Sequence, residues 1–328
     1  MRQFKGDTQM DRIVECVPNF SEGTNKKTID AILDAIRRSE GVYLLDTAYD
    51  SDYNRLIVTY FGEPEAVKTA LLNAGRVAVK LIDMRRHKGQ HPRIGALDVA
   101  PFVPIKNITL QECIALSKDF GKRFAEELKI PVYLYGDAAT SPERGDVDWI
   151  RQGEWEALAQ NMTNPARRPD FGPSQPHPTA GATMTGARDV MVGLNINLGT
   201  SDLQIAKQVA KAIHRKRGGL VCIKAMGAFL KDRGITQVGI TNTDFRRSPL
   251  YRQMELVKIE AARYGVPVVG AEFCGLVPIE ALVGVANYYL RLENFSTDNV
   301  LEVAIDQKLA EQDSKHASCV SSLKPANR

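Results

Sequence analysis

The sequence predicts a mixed α/β (α+β) chain of two similar halves, each running β-α-β-β-α-β. Three observations carry that expectation. Apolar periodicity alternates between strand and helix patterns in one order and then repeats that order. A stretch rich in proline and glycine separates the two series. The 328 residues are enough for two domains that each bury a core.

In the first half, "RIVECV" (Arg12 to Val17) reads as a short strand. Lys26 to Arg38 then puts Ile29, Ile32, Leu33 and Ile36 on one helical face. "VYLLD" and "LIVTYFG" are strands joined by a polar turn holding "DSDYNR", Asp50 to Arg55. Pro64 to Met84 is a long helix facing Val67, Ala70, Leu71, Ala74, Val77 and Leu81 inward, and Ile94 to Phe102 returns to strand. The second half begins near Asp189 with "DVMVGLNI", followed by a helix from Leu203 to Arg217. Strands "LVCIKAM" and "TQVGITNT", a helix from Leu250 to Tyr264 and the strand "VPVVGAEF" complete it. Each series gains one more helix, Leu110 to Leu128 and Pro278 to Leu290, and the first adds the strand "PVYLYG". The order is that of a duplicated split-βαβ, ferredoxin-like unit, an antiparallel sheet with helices on one face.

The expected organisation is a flexible N-terminus at 1–11, one subdomain at 12–165, a connector at 166–186, a second subdomain at 187–295, and a C-terminal helix with a frayed tail at 296–328. Between Asn164 and Gly186, five prolines and three glycines argue against a helix or a central strand. So long a segment in a compact protein is either disordered or functional, and Phe171 and His177 do not suit a mere spacer.

Hydrophobic and charged contents of 44% and 25% are ordinary globular values. A net charge of +4 is too small to imply nucleic acid. No apolar run reaches a membrane span, and the polar N-terminus lacks a secretory core, so a cytoplasmic location is expected. The five cysteines are scattered without a C-x-x-C pair, which argues against a disulfide framework or a zinc site.

Chemistry concentrates in "RRHKGQHPRIGALDV", Arg85 to Val99, where His87 and His91 stand four apart among Arg85, Arg86, Lys88 and Arg93. A helical metal pair is one reading, but Lys88 and Gln90 replace an acidic base and the cations repel a metal ion. A solvated basic loop is a second. A third is a proton-transfer histidine in an anion-binding mouth, kept neutral because nearby cations disfavour imidazolium. The turns "PNFSEG" and "NINLGTSD" precede helices, with Ser21 and Thr200 or Ser201 as expected N-caps and possible anion sites in their amides. Arg55, Arg86, Lys88 and Arg93 are the candidates for a substrate carboxylate.

The segments "VECVPNFSEG", "LIDMRRHKGQHPRIGALDVAPFVP", "PVYLYG", "PDFGPS", "GATMTGAR", "NINLGT" and "GLVP" resemble, in this order, the glutamate formimidoyltransferases, from about Ile13 to Phe295. The resemblance implies transfer of the formimino group of N-formimino-L-glutamate to N5 of tetrahydrofolate in histidine breakdown, with His91 as general base and acid. It implies folate binding by Gly172, Pro173, Ser174, Gln175, Pro176, His177, Pro178, Thr179, Ala180 and Gly181. The second implied folate segment is Gly218, Gly219, Leu220, Val221, Cys222, Ile223, Lys224, Ala225, Met226 and Gly227. A ligand tunnel or cleft between the subdomains, a homodimer, tetrahydrofolate as co-substrate, no metal and a possible separate cyclodeaminase partner come with it. Asp98, Asp46 or another nearby carboxylate is expected to orient the imidazole. In "GITNTDF" the asparagine stands one position later than the family pattern, which on a strand means the opposite face. The rival readings are a formyl or other formimino donor such as N-formylglutamate, a folate-binding module without turnover, and a scaffold for a cyclodeaminase.

Overall fold

The computed structural model describes residues 10–310, and the chain divides between Asp189 and Val190 into two compact units. The expected flexible N-terminus and frayed tail fall almost wholly outside the described residues. Residues 301–310 are helical. Among the described residues, no helix is long and apolar enough to cross a membrane.

The first unit runs β1 (Ile13–Cys16), β2 (Asn19–Phe20), α1 (Lys26–Arg37), β3 (Val42–Asp50), β4 (Arg55–Gly62), α2 (Pro64–Leu81), β5 (Leu97–Lys106), α3 (Leu110–Leu128), β6 (Val132–Gly136), α4 (Val147–Ile150), α5 (Glu154–Asn161) and β7 (Thr183–Ala187). β1 and β2 are one strand broken at Val17 and Pro18; both lie between β4 and β5, antiparallel to each. Pro18 has no N–H for a ladder, which accounts for the break. With β3 pairing β4, this part of the sheet reads β3-β4-β1/β2-β5. α1, α2 and α3 cover one face over a core that includes Ile32, Ile36, Leu71, Phe102, Phe120 and Phe124. Leu56, Val58 and Tyr60 belong to that core, so strand alternation puts Arg55 and Ile57 on the opposite face. There a smaller core joins Val99, Tyr133, Tyr135 and Met184 to Ile150, Leu158 and Met162 near α4 and α5.

The second unit runs β8 (Val192–Leu198), α6 (Leu203–Ile213), β9 (Ile223–Leu230), β10 (Ile235–Asn242), α7 (Leu250–Ala262), β11 (Val268–Cys274) and α8 (Ile279–Leu290). Its antiparallel order, β11-β8-β10-β9, is that of β5-β1/β2-β4-β3, so the duplication holds in strand order as well as element order.

Three sequence expectations need correction. Thr183–Ala187, at the end of the connector, is a central strand, parallel to both β5 and β6. The prolines all lie at or before Pro178, and the buried run after them, with Thr183, Met184 and Thr185, suits a strand, so composition averaged over the whole stretch hid it. α6 stops at Ile213, because His214 turns extended and its Nδ1 accepts the Lys216 N–H at 3.1 Å, starting a separate 3₁₀ turn. The N-caps of α1 and α6 are Asn25 and Asp202, not Ser21 and Thr200 or Ser201.

Candidate active site

Four loops of the first unit meet at His87 and His91. The connection from α2 to β5 holds both histidines and passes the β3–β4 turn, where Gln90 N–H donates to Asp52 O at 3.0 Å and His91 N–H to Tyr53 O at 3.4 Å. Gly89 permits the approach, since a Cβ there would lie 2.3 Å from Tyr53 O. Asn54 closes the turn with φ of 47°, a left-handed conformation that asparagine tolerates. Its side chain accepts the Gly23 N–H at 2.8 Å and donates to Lys88 O at 2.7 Å, tying three loops together. Ser21, displaced from the capping role, donates its hydroxyl to Gly95 O at 2.7 Å. The fourth loop, at Arg151 to Glu156, donates the Trp155 N–H to Arg93 O at 2.9 Å.

The two histidines, alike in sequence, differ here. His87 is buried, with Nε2 2.9 Å from Asn54 O and Nδ1 accepting Arg93 Nε–H at 3.2 Å. A carbonyl can only accept and a guanidinium only donate, so the proton sits on Nε2 and the ring is neutral. Both nitrogens are then committed to structure. His91 has no hydrogen bond to its ring among the described residues. Burial chiefly, then the positive charges of Arg151 and Arg55 and the neighbouring His87 and Arg93, push its imidazole down to about 2.

Asp98, 1% exposed, accepts the Ile94 N–H at 2.7 Å on one oxygen and the Arg151 guanidinium on the other. Asp98 therefore holds Arg151 and does not orient the His91 ring. Asp46 accepts the N–H of its neighbour Thr47 on β3. Arg55 stacks over the Tyr53 ring at 5.6 Å.

Arg93 is a further correction. Its buried guanidinium forks onto Glu156 at 2.9 Å, pairs with Glu154 at 2.7 Å and reaches His87, which leaves it no share in a substrate carboxylate. Arg86 and Lys88 are exposed, at 89% and 81% of the side chain, with acidic groups no nearer than 3.9 and 3.7 Å. Arg151, Glu154 and Glu156 were not found from sequence; they lie more than fifty residues from the groups they hold, in a stretch without a motif.

The segment from Gly172 to Gly181 starts exposed and then folds onto the histidine loop. His177 Nδ1 accepts the Ala180 N–H at 3.0 Å, closing the turn. Met84 N–H donates to Thr179 O at 2.7 Å and Ala96 N–H to Ala180 O at 2.9 Å, at the two ends of the loop. The segment from Gly218 to Gly227 belongs to the second unit, where it leads from the 3₁₀ turn after α6 into the edge strand β9. Thr241 is exposed on β10, while the displaced Asn242 is buried and donates to Ser248 O at 2.7 Å.

Residues 13–188 match the family model described as the formiminotransferase domain, N-terminal subdomain, and residues 193–313 match the formiminotransferase domain. The chain is 44% identical over 286 residues to the glutamate formimidoyltransferase of Streptococcus pyogenes serotype M1, covering 87% of this chain and 96% of that one. It is 44% identical over 292 residues to the glutamate formimidoyltransferase of Thermoplasma acidophilum, covering 88% and 96%. The formimidoyltransferase-cyclodeaminase of Rattus norvegicus is 43% identical over 286 residues, which are 85% of this chain and 53% of the rat protein. Matched along both units, the chain belongs to the formiminotransferase family.

Proposed function

We propose that the protein is a glutamate formimidoyltransferase, moving the formimino group of N-formimino-L-glutamate to N5 of tetrahydrofolate. The observation that carries the site assignment is the contrast between the two histidines. His87 is bonded at both ring nitrogens, whereas His91 is neutral and free to exchange a proton.

N5 attacks the amidine carbon and forms a tetrahedral centre bearing three nitrogens. His91 takes the proton that N5 loses and returns it to the glutamate nitrogen, whose bond to that carbon then breaks. General acid–base catalysis of this kind is worth typically 10²–10⁴-fold, and alignment of the two substrates supplies much of the remainder. Arg55 is the inner candidate for a donor carboxylate, and exposed Arg86 and Lys88 draw polyanions toward the mouth. Folate is assigned to Gly172 to Gly181 and Gly218 to Gly227; the docking of Thr179 and Ala180 against the histidine loop supports the first. The finer expectations are a cytoplasmic homodimer, with a cyclodeaminase as the partner that consumes the product. The rat relative's name joins those two activities in one protein.

The test is to incubate the protein with both substrates and to detect 5-formiminotetrahydrofolate after acid conversion to the methenyl form. The His91→Ala variant should lose about 10²–10⁴-fold in kcat with both KM values little changed. Undiminished turnover in that variant would remove His91 from the chemistry.

A further inference from the structure

Of the two guanidinium groups that act on His91, only Arg151 is held by a carboxylate, that of Asp98. Both oxygens of buried Asp98 are occupied, by the Ile94 N–H and by Arg151. Arg55, on the face of β4 away from α1, α2 and α3, has no carboxylate within ion-pair distance among the described residues. It is largely buried and feels the like charge of Arg151. Like charges withdrawn from water repel, so the pair is best satisfied when an anion joins it.

We propose that Arg151, anchored by Asp98, and Arg55 form a carboxylate-binding fork beside His91 that takes a carboxylate of the formimino donor. This rests on the transferase reading and adds to it a residue that no sequence motif marks. Arg151 is the fixed arm, because Asp98 sits on β5 directly after the histidine loop and ties that arm to the loop through Ile94. A planar guanidinium suits a carboxylate bidentately, which fixes the donor's orientation as well as its charge.

Occupancy of the fork has a second effect. Arg151 from the loop after α4, Arg55 from β4, and His87 and Arg93 from the histidine loop disfavour a charge on the His91 ring, and the carboxylate on β5, Asp98, is already held by Arg151. An arriving carboxylate offsets Arg55 and Arg151, so imidazolium is less disfavoured with donor in place than without it.

Steady-state kinetics, with KM read separately for donor and for tetrahydrofolate, test the fork. The double variant Asp98→Asn/Arg151→Gln removes both charges of that ion pair together, so neither is left buried without its partner. It should raise donor KM about 10- to 100-fold, the scale of a lost charged hydrogen bond, with folate KM within about twofold. The acid limb of kcat/KM for the donor should move to higher pH, since of the two charges removed Arg151 is the one that opposes protonation of the ring. Arg151→Lys keeps charge without the planar fork; it should retain the acid limb and show a smaller rise in donor KM. It also decides the matter should the double variant not fold. Unchanged donor KM and pH profile in a folded variant, or equal increases in both KM values, would overturn the proposal. Calorimetric binding of glutamate reads the fork without turnover. Wild-type binding that the double variant loses, in a protein inactive toward both substrates, would sink the transferase reading and spare the fork; equal binding by both proteins would sink the fork.

Discussion

In the first unit the connection from α2 to β5 runs from Ile82 to Ala96 and carries both histidines. In the second, the corresponding connection from α7 to β11 is the short turn from Arg263 to Pro267. The hairpins tell the same story. β3 and β4 are joined by residues 51–54 and β9 and β10 by residues 231–234, each a four-residue turn ending in the left-handed region. The last residue is Asn54 in one and Gly234 in the other, and the next strand starts with Arg55 or Ile235. The sheets are equivalent, so the difference lies in what the loops add. The first unit replaces residues chosen for conformation by residues whose side chains hold, charge or transfer something.

The largest effect expected after loss of His91 itself comes from the loop crossing. Gly89→Ala forces a Cβ against Tyr53 O and against Asn54 Cβ at 2.7 Å, so the histidine loop must shift. A displacement near 1 Å costs about 10²-fold in rate, which kcat measurements would register. Wild-type kcat in Gly89→Ala would mean that the crossing does not position His91.

The paired histidines give two stability tests. His91 is held below its ordinary value of 6.5, so the unfolded chain binds a proton on this residue before the folded one does. Stability attributable to the neutral ring is therefore present above 6.5 and lost as pH falls from there toward 2. The slope is up to about 1.4 kcal/mol per pH unit. Urea denaturation between pH 7 and pH 5 should show that slope in the wild type and a shallower one in His91→Gln; parallel curves would contradict the assignment. His87→Ala strips the partners from Asn54 O and Arg93 Nε and should cost about 2 kcal/mol at pH 7, read from the denaturation midpoint.

How far this site could be read from the sequence depended on range. Periodicity placed α1, α3, α7 and α8 to within two residues, because an amphipathic stripe is a local property, and Leu110–Leu128 was legible to the residue. At four residues and eight, α4 and α5 are too short to show one. Motif order singled out His91, but composition treated His87 as its equal, since only tertiary partners separate a bonded ring from a free one. Arg93 resembled an open anion site because Glu154 and Glu156 lie more than sixty residues on. Arg151 gave no signal at all; its meaning comes from Asp98, fifty-three residues away. Thr183–Ala187 was hidden by prolines that end just before it.

The smallest expected effects make the sharpest comparison, because they exchange the same residue types at matching turns. Asn54→Gly keeps a conformation that glycine adopts freely, so the hairpin should still form. The variant loses the hydrogen bonds to Gly23 N–H and Lys88 O, at about 1–2 kcal/mol, and roughly tenfold in kcat as the loops slacken. Gly234→Asn places a tolerant residue at φ of 63° with nothing within 4 Å of the new Cβ. Its stability should change by no more than about 0.5 kcal/mol, and kcat should not change. Matching losses at the two turns would mean that Asn54 is only a hairpin residue; the unequal outcome would show that one topology was fitted for chemistry through its loops while its copy was left as scaffold there.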